Sequence, residues 1–137
     1  MTETVQPPGA DLPAQWPAQA AAEVAAAWVA DFAAAVGTGS APDLESLFAS
    51  DATWRDFMAL AWDFTHSIGR EELVPRVLEL VKEAEATGFT INDAVPPAFS
   101  GEAITAFFDF TSRDRIDRGY VLLVERDGRF VASMVQT

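Results

Sequence analysis

The chain has 137 residues, half of them apolar, and 21 acidic against nine basic side chains give it a formal charge of −12. This length fits one domain with a real core, and the absence of cysteine excludes disulfides, thiolate metal sites and thiol nucleophiles. The acidic balance argues against nucleic-acid binding, which depends on Lys and Arg. No uninterrupted apolar run approaches the roughly 20 residues of a membrane span, so we expect a soluble, cytoplasmic protein with no membrane partner.

The composition changes near residue 18. Residues 1–17 contain four of the eight prolines and few apolar side chains, which predicts a flexible leader. We expect a single domain over residues 18–137.

Two helices are predicted at the start of that domain. Trp28 and Phe32 belong to an apolar stripe that recurs every fourth residue, which predicts an amphipathic helix that ends near Gly37. Ser40, three residues before Asp43, predicts the N-cap of a short second helix.

An extended segment and a third helix follow. Alternation over residues 51–58 predicts a strand, and residues 61–68 form a second extended candidate. After Gly69, an apolar stripe that includes Leu73 and Val77 predicts a helix, which we expect to restart with Pro75 in its first turn.

The remainder is predicted to be strands. The segment 89–99 is interrupted by two prolines, and segments 102–111 and 119–125 flank a polar turn at residues 112–118. Asp127-Gly128 is a strong signal for a hairpin turn into residues 129–136. The predicted fold class is α+β, with three helices on one face of a curved, mostly antiparallel sheet.

A helix and a short helix come first, and the segment LFASDATWRDF and a helix that starts after a glycine follow. This order of elements resembles that of the nuclear transport factor 2-like (SnoaL-like) superfamily, whose members are cone-shaped rolls with an internal pocket. WRDFMALAWDFTHSIGREEL is similar to the segment WRDLLALTWDF…GRDAI, and FFDFTSRDRIDRGYVLLV to a matching strand pair. Both occur in the domain that precedes the flavin-containing monooxygenase portion of certain bacterial and fungal proteins. The resemblance runs from about residue 20 to the end, and this chain stops where that portion would begin. No GxGxxG fingerprint occurs, so we expect the chain itself to bind no FAD or NADPH, and no other cofactor is predicted.

Asp56 is the first catalytic candidate. Alternation places it with Trp54, and a carboxylate facing the interior can serve as a general base. SLFASDATWRD is similar to ALFADDATVED of ketosteroid isomerase, a member of the same superfamily, which implies that Asp56 is the catalytic base. The alternative is a structural role, in which Asp56 pairs with Arg55, Arg70 or a loop amide.

Tyr120 and His66 are the other two catalytic candidates. The same resemblance places Tyr120 near a donor of the isomerase oxyanion hole, while the position of the second donor, a tyrosine, is Phe32 here. Tyr120 could instead fill a strand position. His66 is the single imidazole, although the resembling domains often have histidine where this chain has Ile68. His66 could be a catalytic base or an anchor for a ligand, or it could be a surface group. No metal site is predicted.

Several aromatic side chains and one acidic residue are candidates for ligand binding. The aromatic surface exceeds that of a minimal core, which indicates an apolar pocket for a small molecule. Asp109, within FFDF, is either a second pocket carboxylate or the polar face of its strand. The ligand-binding candidates are Trp54, Trp62, Phe32, Phe108 and Asp109.

Two functions stay open at this point. One is a proton-transfer enzyme of the isomerase, cyclase or dehydratase type that acts on a hydrophobic substrate. The other is a non-catalytic binding or dimerisation module, accessory to a flavin-containing monooxygenase. We expect a homodimer, because the late strands are apolar on both faces: Ile104 and Phe108 on one, and Phe107, Val121, Leu123 and Val135 on the other.

Overall fold

The structure, a computed structural model, describes residues 18–57, 60, 64–113 and 115–137. The predicted leader lies outside the described residues. The helices and strands are α1 (Ala18–Thr38), α2 (Ala41–Glu45), β1 (Phe48–Phe57), β2 (Phe64–Ile68), α3 (Arg70–Ala84), β3 (Thr87–Ile91), β4 (Ala98–Ser100), β5 (Ala103–Ser112), β6 (Arg115–Arg126) and β7 (Arg129–Gln136).

The strands form one curved sheet in the order β2–β1–β7–β6–β5–β3, and β4 also pairs with β5. The pairing of β1 with β7 is parallel, and the other pairings are antiparallel. Helix α1 packs mainly against β3, β4 and β5, while α3 packs against β1 and β2. The predicted α+β fold, with three helices on a mostly antiparallel curved sheet, is confirmed.

Helix α1 has the predicted amphipathic stripe. Ala21, Ala25, Trp28 and Phe32 are buried, and the Trp28 indole Nε1 donates to the Leu47 carbonyl oxygen at 2.9 Å. By length and composition, Ala20–Thr38 could also cross a membrane, with a mean hydropathy of 1.4. The expectation from the sequence was that no segment is long and apolar enough for a membrane span. This helix meets that criterion because alanines keep it apolar on its solvent-exposed side too. A single such helix near the amino terminus is weak evidence for a span, since core helices of soluble proteins meet the same criteria.

The starts of the next two helices have clear causes. The Ser40 side chain accepts a hydrogen bond from the Asp43 amide at 3.3 Å, which confirms the predicted N-cap of α2. At the start of α3, Glu72 Oε1 accepts from the Ile68 amide at 2.8 Å. The prediction that α3 restarts at Pro75 is wrong: one unbroken helix begins at Arg70 and contains Pro75 on an exposed position. Contacts of its buried stripe with the sheet outweigh the one backbone hydrogen bond that proline removes.

The two late hairpins differ in how well they were predicted. Asp127 and Gly128 have φ values of 54° and 80°, as the predicted two-residue turn requires, and they join β6 directly to β7. The predicted polar turn at 112–118 is too long, because pairing continues to Ser112 and Arg115. A salt bridge of 3.2 Å between Arg118 and Asp109 supports that extension.

The predicted division of the late strands into two faces is also wrong. Val121, Leu123 and Val135 are fully buried, on the helix side of the sheet with Ile104. The reason is register, since antiparallel partners such as Ile104 and Leu123 share a face. Of the four residues predicted to lie on the face opposite Ile104 and Phe108, Phe107 alone lies on that opposite face, where it is half-buried.

Candidate ligand-binding site

Asp56 lies on the inner face of β1. Ala52, Trp54 and Asp56 are buried in alternation, and Asp56 is 0% exposed. Arg55 is exposed on the other face of the strand, and Arg70 donates to the Phe48 carbonyl oxygen at 3.3 Å. The carboxylate therefore faces the interior, as the alternation indicated.

Neutral donors hold this carboxylate in a fixed orientation. The Leu60 amide donates to its two oxygens at 3.0 and 3.1 Å, and the Thr137 hydroxyl donates to Oδ1 at 2.7 Å. The same hydroxyl accepts from the Trp54 indole Nε1 at 3.1 Å, and the Thr137 amide donates to the Arg55 carbonyl oxygen at 2.9 Å. Asp56 thus connects the end of β1, Leu60 and the residue that follows β7.

An aromatic cluster adjoins Trp54. Phe32 stacks on Trp54 with ring centroids 5.8 Å apart and on Trp28 at 5.3 Å, and it meets Phe89 edge-on at 5.0 Å. Phe32 is 1% exposed, so its ring belongs to the core between α1 and the sheet. Phe108 is equally buried, and its ring covers Gly119 on β6.

Tyr120 and Asp109 lie on the outer face of the sheet, away from Asp56. Tyr120 packs against Phe107 with ring centroids 5.3 Å apart. Asp109 accepts hydrogen bonds from the Asn92 amide group at 3.0 and 3.2 Å and pairs with Arg118. Neither side chain shares a pocket with Asp56 in this structure, and Asp109 has the polar-face position that the sequence left open.

His66 and Trp62 do not join the site in the described structure. His66 is exposed on β2, directly opposite Arg55, and so lies on the face that Asp56 does not use. Trp62 lies outside the described residues. Among the described residues, no group of three His, Cys, Asp or Glu side chains could hold a metal ion.

Five clefts lined by described residues lie at the surface, and Asp56 and Trp54 line none of these five. The Leu60 amide is the kind of loop donor that the structural alternative named, although the sequence carries no signal for its position. The Thr137 hydroxyl was missed by sequence reasoning. Thr137 could have been found, because the period of two along β7 places it on the face of Val135, the partner of Trp54.

Solved structures with a similar fold include proteins of three kinds. An NTF2-like designed protein with a long sheet is 19% identical with a TM-score of 0.62, and the match covers 80% of this chain and 95% of that one. The chain has the nuclear transport factor 2-like fold. A Sinorhizobium meliloti protein named as a candidate polyketide cyclase is 14% identical, with a TM-score of 0.57 and coverage of 80% and 92%. A Kribbella flavida protein named as a candidate ketosteroid isomerase is 17% identical, with a TM-score of 0.52 and coverage of 84% and 76%.

No protein-family profile and no curated protein matches this chain. At these identities the structural matches establish the fold and leave function to the site itself. The association with a flavin-containing monooxygenase stays a prediction.

Proposed function

We propose that this domain binds a hydrophobic small molecule beside Asp56, and that the Asp56 carboxylate accepts a proton from it. The reaction would be an isomerisation, cyclisation or dehydration. The observation that carries this proposal is a completely buried carboxylate, oriented by the Leu60 amide and the Thr137 hydroxyl. A general base needs such a fixed position first of all, within reach of the proton that it takes.

The surroundings of Asp56 favour an apolar substrate. Trp54 lies on the same strand face and is 2% exposed, and the Phe32 ring stacks against it. Aromatic surroundings with a small number of oriented polar groups are typical of small-molecule sites. Two of the structural neighbours have names that denote a cyclase and an isomerase, and they support the same reaction types by analogy.

The experiment compares wild type with Asp56→Asn. Steroid-like and polyketide-like ketones are first screened for a rise in melting temperature. Exchange of the α-proton of each binding ketone for deuterium is then followed by NMR. We expect exchange with wild type to be about 100-fold faster than with Asp56→Asn, because an amide cannot accept the proton.

Asp109→Asn is the matched control, since it makes the same change on the outer face of the sheet. It should leave the exchange rate unchanged. Equal rates for wild type and Asp56→Asn would contradict the proposal. The proposal would also be contradicted if Asp56 has only a structural role. In that case Asp56→Asn loses about 1–3 kcal/mol of stability, and wild type exchanges no proton with any binding ketone.

A second candidate function, assembly through the sheet, is supported by the outer face. Phe107 and Tyr120 are directly opposite each other there, as are Leu122 and Met134, and all four are half-buried. Adjacent apolar side chains on an uncovered face favour an interface. We propose that a second copy of the chain occupies it, and a separate flavoprotein is the other partner that the sequence resemblance implies.

Light scattering on wild type, Leu122→Glu and Ala30→Glu tests this assembly. Wild type should have the mass of a dimer at micromolar concentration, and Leu122→Glu that of a monomer, because a charge cannot be buried in an apolar interface without a partner. Ala30 is exposed on α1, so Ala30→Glu should stay dimeric. A monomeric wild type would rule out the homodimer.

A further inference from the structure

A surface cleft of about 340 Å³ lies at the start of β1. The first residue of α3 and the turn between β6 and β7 complete its walls. Arg70, Arg126 and Arg129 line the cleft, together with Ser50 and Asp127. One third of the nine basic side chains of a strongly acidic protein therefore meet in one place.

Backbone carbonyl groups hold these three arginines. The acceptors are the carbonyl oxygens of Phe48 for Arg70 at 3.3 Å, Glu125 for Arg126 at 3.1 Å and Ser46 for Arg129 at 3.2 Å. The salt bridges found over residues 18–57, 64–113 and 115–137 involve other arginines. Because a guanidinium has five N–H donors, most donors of each group stay available in the cleft.

The placement of two of these arginines favours the binding of an anion between them. Arg126 and Arg129 are direct cross-strand partners in the hairpin. Like charges at such positions destabilise a sheet, and an anion between them would reverse the sign of that interaction. Asp127, in the turn, is the one acidic residue among the described residues that line the cleft, so the lining has a formal net charge of +2.

We propose that this cleft binds the phosphate group of a small phosphate monoester. The formal charge of +2 on the lining matches the charge of about −1.5 to −2 on such a group at neutral pH. The planar forks of arginine bind phosphate oxygens in a bidentate manner, and the volume of the cleft suits a small ligand. The site lies at the opposite end of β1 from Asp56, so it does not depend on the function proposed above.

Inorganic phosphate is the probe, and isothermal titration calorimetry at constant ionic strength, adjusted with sodium chloride, is the measurement. Wild type should bind phosphate saturably at one site. Arg126→Gln and Arg129→Gln should each weaken binding about tenfold or more, because each removes hydrogen bonds to a charged group. Arg55→Gln is the matched control, since Arg55 is exposed on β1 outside the cleft, and its affinity should equal that of wild type.

Melting curves separate binding from a structural role. Without phosphate, Arg126→Gln should melt at or above the temperature of wild type, because it relieves the repulsion from Arg129. With phosphate, wild type should gain stability and Arg126→Gln should gain much less. The proposal fails if phosphate does not bind saturably, if malonate binds as tightly as phosphate, or if Arg55→Gln loses as much affinity as the cleft variants.

Discussion

Gly119→Ala tests how tightly the inner face of the sheet is packed. A Cβ atom at Gly119 would lie 2.2 Å from Cζ of Phe108, and 2.6 and 2.7 Å from its Cε atoms. The Phe108 ring is 1% exposed and lies 6.2 Å from the Phe89 ring and 6.0 Å from the Phe110 ring, so it cannot turn aside freely. We therefore expect overpacking that costs about 1–3 kcal/mol of stability. For a domain of this size, the melting temperature should fall by roughly 3–10 °C.

The same substitution at Gly37 should have the opposite sign. Gly37 lies inside α1, and an added Cβ would have no atom within 4 Å. Gly37→Ala should therefore stabilise the protein by about 0.5–1 kcal/mol, because alanine loses less backbone entropy in a helix. Urea unfolding of both variants, with the slope of each transition compared, measures the two changes.

A double-mutant cycle assigns the cost to the Phe108 ring. Phe108→Leu removes the ring atoms that crowd residue 119. In that background, Gly119→Ala should cost at least about 1 kcal/mol less than in wild type. The reasoning is refuted if Gly119→Ala lies within about 0.5 kcal/mol of wild type, or if its cost is the same in both backgrounds.

Two further variants test other parts of the structure. Thr137→Val should lose about 2–4 kcal/mol in urea unfolding, because the Trp54 indole N–H loses its acceptor and Asp56 loses a donor, whereas Thr137→Ser should stay close to wild type. Pro75→Ala should gain about 1–3 kcal/mol in the same assay, since it restores an amide donor inside α3 at an exposed position, and a loss would indicate that the helix is not continuous there.

The periodic spacing of apolar residues was the most informative signal in the sequence. Along β1 a single polar residue, Asp56, occupies the inner face after Ala52 and Trp54, so a period of two placed a carboxylate inside. Turn chemistry was equally informative at Asp127-Gly128, where the backbone requires positive φ. In both cases the neighbours that decide the conformation are adjacent in the sequence.

The position of Tyr120 could not be predicted in that way. β5 contains Phe107 and Phe108 in succession, so apolar residues alternate on both faces and hydrophobicity does not reveal which face is buried. The register between β5 and β6 decides it: Tyr120 pairs with half-buried Phe107, and Gly119 pairs with buried Phe108. A shift of one residue would exchange the two faces, so alignment to a distant protein is a weak guide there.

The arginine cleft could not be predicted from the sequence, for a related reason. Arg70 begins α3, while Arg126 and Arg129 flank a turn more than fifty residues later, so no local spacing connects them. In the sequence each is one of several arginines near an acidic residue, which is the pattern of a solvated surface. Only the parallel pairing of β1 with β7 brings the start of β7 beside the start of β1 and places these charges together.

The two candidate sites lie at opposite ends of β1. Ser50 borders the arginine cleft, and Asp56 is six residues further along the same strand, about 20 Å away at the usual rise per residue. Effects of mutations so far apart, with no shared partner, normally add. The double variant Asp56→Asn/Arg129→Gln should therefore bind phosphate as weakly as Arg129→Gln alone and exchange ketone protons as slowly as Asp56→Asn alone. A loss of phosphate affinity on Asp56→Asn by itself would show that β1 couples its ends and that neither site can be assigned independently of the other.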